Sequence, residues 1–260
     1  MPELSFAGLE RRFDDVVALE GIHLEVPDGS LTAIVGPSGC GKSTLLELAG
    51  GLQAPSAGDV RLDGRPVDGP RGQTALIFQH HNLFPWLTVL DNVAFGLRNR
   101  GVRARDARAR ALAGLRDVGL HTVAGRVPAE LSGGMRQRVA LARALVLETD
   151  LLLMDEPFAS LDHQTRRLMH AHLLATWKRL RATIVVVTHD LDEALLLAER
   201  VVLMTGAPGR IAEVVDVHAA WPRDLQDPVL AGHRARLATH LEREVALGEL
   251  TDAERERVLA

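Results

Sequence analysis

Short runs of β-branched and aliphatic residues, bounded by turn residues, alternate along the chain with longer stretches whose apolar positions recur at helical spacing. The runs Leu31 to Val35, Ala75 to Phe78, Leu151 to Met154, Ile184 to Val187 and Val201 to Met204 predict five strands. Strands alternating with helices in this order predict an α/β protein with a largely parallel sheet. Between the second and third strands, roughly seventy residues carry several amphipathic patterns and no convincing strand. They predict a helical subdomain, about 82–148, inserted into the α/β core. From Trp221 onward, PRDLQDP opens a charged, helix-favouring tail over 221–260 that carries no recognisable motif. Internal repeats and low-complexity tracts are absent.

Composition narrows what such a chain can do. With 260 residues and 47% hydrophobic content it can bury the core of one large domain or two small ones. A net charge of -4 argues against wholesale electrostatic binding to nucleic acid or to an anionic membrane. The single cysteine, Cys40, excludes an internal disulfide framework and suits a reducing cytosol. The first residues lack the basic segment and apolar run of a signal peptide. The apolar stretches LTAIV, LLLM and TIVVV fall far short of the ~20 residues that a membrane-spanning helix needs, so a membrane role requires a partner.

Residues 36–44 read GPSGCGKST, and Lys42 is one of only two lysines in a chain otherwise supplied with arginine. The stretch follows a predicted strand and opens a helical pattern near Ser43, the context in which G-x-x-x-x-G-K-[ST] binds phosphate. Glycines let backbone N–H groups turn inward around an anion, and the following helix presents its positive end to the same charge. Lysine adds a compact, flexible point charge that can reach between two phosphates, where the planar guanidinium of arginine would collide with a tightly wrapped loop. Cys40 fills a small-residue slot. Further on, LLLMDEP puts Asp155 and Glu156 at the end of a predicted buried strand, where parallel sheets place ligands. Side chains of adjacent strand residues point to opposite sides. One carboxylate can then hold Mg²⁺ while the other polarises an attacking water.

Residues 131–138, LSGGMRQR, set Ser132 as an N-cap, Gly133 and Gly134 in the first turn, and an amphipathic helix behind them. A helix start with bare N–H groups is a second anion site. Here the chain resembles the ATP-binding cassette (ABC) ATPases, over residues 1 to about 215. The resemblance implies an ATPase domain over 1–220, built as a P-loop NTPase core with a parallel sheet, an N-terminal antiparallel β subdomain and the inserted helical subdomain. It implies ATP bound by Gly36, Pro37, Ser38, Gly39, Cys40, Gly41, Lys42, Ser43 and Thr44, with Mg²⁺ held by Ser43, Gln79 and Asp155. Glu156 becomes the base, Gln79 the contact to the attacking water, and His189 the switch histidine at the γ-phosphate. Asp162 communicates across a head-to-tail dimer, in which Ser132, Gly133 and Gly134 complete the partner's nucleotide site. Phe13 stands where the family carries an adenine-stacking aromatic, often tyrosine, and this chain has no tyrosine.

The stretches FQHHNLFPWLTVLDNVAFGL, LLLMDEPFASLD and GAPGRI look like the ATPase subunits of importers for nitrate, sulfonate, taurine and related small solutes. That subgroup implies permease subunits in the membrane, an extracytoplasmic solute-binding protein acting indirectly, and a peripheral place on the cytoplasmic face. Pro85 and Trp86 lie where the family docks a helix of the membrane subunit, and a packed core tryptophan is the alternative. The rival reading is a non-transport cassette ATPase acting on nucleic acid or in cluster assembly. Such proteins carry paired cassettes, a coiled-coil insertion or a basic extension, and none of these is visible. RNRGVRARDARAR, residues 98–110, has no interleaved aromatics for base stacking and reads as a solvated helical face rather than a nucleic-acid site. His170 and His172 are two apart and diverge on a helix, and His80 and His81 lack partners at metal-ligand spacing.

Overall fold

A computed structural model describes residues 3–248, so residues 249–260 of the expected tail lie outside the described residues. In chain order the elements are β1 (Leu4–Phe13), β2 (Val16–Val26), β3 (Leu31–Val35), α1 (Lys42–Ala49), β4 (Ala57–Leu62), β5 (Arg65–Pro66) and β6 (Thr74–Ile77). Then come α2 (Val89–Asn99), α3 (Ala104–Asp117), two single 3-10 turns, α4 (Gly133–Leu145), β7 (Leu151–Asp155), α5 (His163–Leu180), β8 (Thr183–Val187), α6 (Leu191–Leu197), β9 (Arg200–Met204), β10 (Ile211–Asp216) and α7 (Pro228–Gly248). Each of the five strands expected from sequence is present, with ends moved by one residue at most. The chain divides into two compact units, one running to Arg71 and resuming at Thr183, the other spanning Gly72–Ala182.

In the first unit β1 pairs antiparallel with β2 and β4, and β4 with the short β5. Beside this sheet stands a parallel set in which β3 pairs on one edge with β8 and on the other with β9. β10 closes it antiparallel to β9. All five residues of β3 and of β8 are buried, which explains why LTAIV and TIVVV read as continuous apolar runs rather than alternating ones. Gly51 and Gly58 sit at positive φ, where a Cβ would strike the backbone of Gly69 and of Gly8 respectively. Only glycine lets these turns close.

The second unit pairs β6 with β7 in parallel, from Thr74↔Leu151 to Ile77↔Met154. The stretch between these strands is helical, as its periodicity predicts. Three of this unit's α-helices, α2, α4 and α5, start on a polar cap: Thr88 accepts from Asp91 N at 3.1 Å, Ser132 from Met135 N at 3.3 Å, and Asp162 from Gln164 N and Thr165 N. Gly114 on α3 lies against Val146, just past the end of α4, and a Cβ there would collide with that valine. The arginines between 98 and 110 that have resolved partners meet protein: Arg108 pairs with Asp91 at 2.6 Å, Arg110 with Glu148 at 3.3 Å, and Arg100 caps the carbonyls of Leu147 and Gly72.

Candidate functional site

In the first unit the loop after β3 wraps around its own lysine. Lys42 is buried, and its Nζ donates to Gly36 O at 2.8 Å and Pro37 O at 2.7 Å, with Cys40 Sγ at 3.6 Å. Phosphate oxygens are stronger acceptors for the same three protons, so the loop is built to hand its ammonium to an anion. Gly39 and Gly41 have φ of 79° and 91°, and a Cβ at Gly41 would lie 2.6 Å from Leu19 Cδ2. A Cβ at Gly36 would meet Cys40 Sγ at 2.9 Å. The glycines are therefore fixed by close approach and by left-handed backbone, as the motif predicts. Cys40 fills its slot completely, and burial pushes its thiol pKa up against the opposing pull of Lys42. Ser43 and Thr44 follow in the first turn of α1, with Ser43 exposed.

GAPGRI acquires a physical role here that sequence reasoning did not assign. Gly209 lies directly on Cys40 O, so closely that a Cβ would overlap it, while Gly209 N donates to Ala18 O at 3.0 Å and Gly209 O accepts from Glu20 N at 3.0 Å. This turn backs the phosphate loop against β2. His189 emerges exposed just after β8, behind Thr188, whose N–H donates to Ile34 O at 3.1 Å. Phe13 ends β1 and is 40% exposed, with the Arg11 guanidinium 4.4 Å from its ring centre.

In the second unit β7 ends at Asp155, which is buried. Strand alternation therefore does not set the direction of Glu156, contrary to the sequence expectation. Glu156 has φ 46°, a left-handed conformation that costs a branched-free L residue of order 1 kcal/mol. That turn directs its carboxylate to Gln79, whose Nε2 is 3.4 Å from Glu156 Oε2. Gln79 and Glu156 thus come together. Ser132 caps α4, and a Cβ on Gly134 would lie 3.3 Å from Ser160 O in the FASLD segment, so the signature turn and the segment leading to Asp162 are in contact. Hydrogen bonds from Thr165 and Gln164 hold the exposed Asp162 carboxyl below the usual range.

Three residues that the sequence did not single out tie these pieces together. Gln137, buried on α4, donates to Pro157 O at 2.6 Å, next to Glu156. Arg143, two turns further along α4, donates to His81 O at 3.0 Å and Asn82 O at 2.7 Å. Asn92, fully buried on α2, accepts from Phe84 N at 2.8 Å and donates to the carbonyls of Phe84, Leu87 and Thr88 at 3.0 to 3.1 Å. Polar residues inside an apolar stripe were the available signal. Burial, with Arg136 and His80 nearby, lowers the pKa of His81. The loop held by these side chains displays Trp86, which is 75% exposed, next to Phe84 at 5.7 Å, with Phe95 behind at 4.5 Å from Phe84. The core alternative for Trp86 is thereby excluded.

Comparison with known proteins follows the same lines. The family model described as ABC transporter matches residues 19–159. A putative ATP-binding protein of Brucella abortus is 45% identical over 222 residues, covering 85% of each chain. An aliphatic sulfonates import ATP-binding protein of Burkholderia cenocepacia is 46% identical over 242 residues, 93% of this chain and 88% of the relative. A taurine import ATP-binding protein of Chromobacterium violaceum is 49% identical over 198 residues, 76% of each. Among solved structures, the dimeric structure of a bacterial ABC transporter cassette superposes with a TM-score of 0.77 at 29% identity, covering 84% of this chain and all of the other. The same cassette in a post-hydrolysis state bound to ADP and Pi gives 0.76. With its phosphate loop, paired Gln79 and Glu156, and capped signature helix, the chain belongs to the ABC transporter family, as an ATP-binding and ATP-hydrolysing cassette.

Proposed function

We propose that the chain is the ATPase subunit of an importer for a small solute such as a sulfonate, taurine or nitrate, lying peripherally on the cytoplasmic face of the membrane. The observation that carries this reading is the aromatic cluster of exposed Trp86 and Phe95 around half-buried Phe84, with Phe84 and Trp86 on the loop that begins at Gln79 and Phe95 on α2. An apolar aromatic patch rooted beside a catalytic glutamine is where a membrane partner gains from reading the nucleotide state. Among the described residues no helix is long and apolar enough to cross a membrane. In this reading permease subunits span it, with a solute-binding protein acting through them. The proposed domain division is an ATPase domain over 1–220, carrying the helical insertion at about 82–148, and the tail from 221.

In this reading Gly36 to Thr44 wrap the phosphates of ATP while Phe13 offers the adenine the ring face opposite Arg11. Glu156 accepts a proton from the attacking water, which Gln79 and His189 orient. Ser43, Gln79 and Asp155 would supply oxygen donors of the kind Mg²⁺ takes. Among the described residues no three His, Cys, Asp or Glu side chains gather as a cage, and Mg²⁺ needs none, since it takes one or two carboxylates with substrate phosphates. When bound, the ion neutralises charge on the transferred phosphoryl group. Ser132, Gly133 and Gly134 serve the nucleotide of a second copy, with Asp162 relaying between the two sites.

The composite site is tested by mixing inactive partners. Glu156→Gln keeps shape and hydrogen bonding but removes the base, so hydrolysis should fall by ~10² to 10⁴ while ATP binding survives and a closed dimer accumulates. Ser132→Arg mixed in excess with Lys42→Ala should regain hydrolysis through one intact site per heterodimer. A monomeric Glu156→Gln protein under saturating Mg-ATP, together with no recovery in the mixture, would remove the head-to-tail dimer.

A further inference from the structure

α6 begins two residues after His189 and has only seven residues, well short of the ~12 at which a helix sustains itself in water. Its shape is imposed from outside, and much of the grip comes from the segment after residue 220. At the N-terminal end Asp190 caps Glu193 N at 3.1 Å, and Asp192 in the first turn accepts a forked pair from Arg234, Nε at 2.5 Å and Nη2 at 3.1 Å. At the C-terminal end, Arg223 donates to Leu195 O at 2.7 Å and Ala198 O at 2.5 Å, while Trp221 Nε1 donates to Leu196 O at 3.0 Å. Helix ends leave such carbonyls without intrahelical partners, and two tail side chains satisfy three of them. Arg223 also binds Val217 O and Ala219 O and covers the Trp221 ring at 4.2 Å.

The gripping segment is itself anchored. Leu230 and Leu237 of α7 are fully buried. Glu244 accepts from Gly206 N at 3.1 Å, and Arg236 and His240 reach Glu213 of β10 at 2.7 and 3.2 Å. An open cleft of about 500 Å³ has His189, Asp190, Leu191 and Asp192 on one wall and Arg234, Ala238, Leu241 and Glu242 on the other. The same α7 that holds α6 therefore also bounds the space next to His189.

We propose that the segment from Trp221 through α7 is a positioning element for His189, acting through Asp192 and the terminal carbonyls of α6, with Arg234 and Arg223 as its positioning residues. The proposal rests on the reading of His189 as the residue that contacts the γ-phosphate. A bidentate arginine bond fixes both the place and the tilt of Asp192, three residues after His189. Loss of that fork lets α6 fray from its first turn, and the imidazole then samples orientations in which it cannot meet the transferred phosphate. The phosphate loop is left as it was, so nucleotide affinity is spared.

Arg223 holds four carbonyls and its loss threatens folding, so Arg234, on the exposed face, carries the test. Full-length wild type, Arg234→Gln, Arg234→Lys and His189→Ala are compared, with Arg234→Gln also made in the His189→Ala background. Single-turnover hydrolysis, Kd for a non-hydrolysable ATP analogue, and amide hydrogen exchange of residues 193–197 are measured for each. Arg234→Gln should slow the chemical step roughly tenfold with Kd within about twofold, Arg234→Lys should recover part of the loss, and in the His189→Ala background the further loss should be under about twofold. Exchange at 193–197 should accelerate in Arg234→Gln. Equal losses in both backgrounds, unchanged exchange, or a weakened Kd accompanying the slower step would overturn the proposal while leaving the switch reading intact. Wild-type hydrolysis by His189→Ala would remove the switch reading itself, and the proposal with it.

Discussion

In the proposed function the loop around Lys42 and the loop after Gln79 both belong to the catalytic machinery, yet they keep their shapes by opposite means. The first is set largely by its own backbone: left-handed Gly39 and Gly41 and the close approach of Gly36 to Cys40. The second has little backbone order of its own and is pinned by side chains from helices, Asn92 on α2 and Arg143 on α4. A loop that must bind the same triphosphate every cycle gains from intrinsic geometry. A loop that must report to a partner gains from attachments that move with neighbouring helices.

This contrast can be broken at either end. Lys42→Ala should cost the most in function, lowering hydrolysis at least ~10³-fold through lost phosphate contact, while the melting temperature stays near wild type because the lysine serves the ligand rather than the fold. A large drop in melting temperature would show that the ammonium is chiefly a brace for the loop. Asn92→Ala should do the reverse, removing the side-chain bonds to the loop and leaving Phe84 N and Leu87 O to find new partners, while Phe84 O and Thr88 O keep backbone donors, at a cost of ~2 to 4 kcal/mol in a denaturant melt. An unaffected melt would mean that the loop holds itself. Smaller effects sharpen the picture. Phe13→Ala should weaken ATP binding by about 2- to 10-fold in equilibrium titration with little change in the chemical step, and wild type should turn over ATP and GTP within about tenfold, because stacking reads a face and not an edge. Trp86→Ala should change stability by no more than ~0.5 kcal/mol and leave basal hydrolysis intact while abolishing transport by the reconstituted importer. A marked destabilisation would show that the exposed ring also braces its loop against Phe84.

The same contrast explains what was legible in the amino-acid sequence. Lys42, Ser132, Glu156 and the five strands could be found because each is specified locally: a glycine spacing, a cap before an apolar stripe, a run of branched residues between turns. Gln137, Arg143 and Asn92 were passed over, since their partners lie from four to more than sixty residues away and a polar letter within a helix does not reveal whether it faces water or a carbonyl. The bend at Glu156 was missed for a related reason. Strand periodicity continues on paper through DE, whereas the backbone turns left-handed at the second of the two. GAPGRI was recognised as a mark of subgroup, but its physical task, Gly209 pressed against Cys40, depends on a contact made across most of the chain.

The exposure of Trp86 has a spectroscopic consequence. Without tyrosine, ultraviolet emission comes from three tryptophans in three settings: Trp177 buried at 3% exposure, Trp221 half-buried under a guanidinium, and Trp86 open at 75%. Iodide in solution reaches the last of these most readily, so collisional quenching samples chiefly that one ring. A permease settling on the aromatic patch would shield it and shift its emission toward the blue, giving an optical signal of docking from the unlabelled protein.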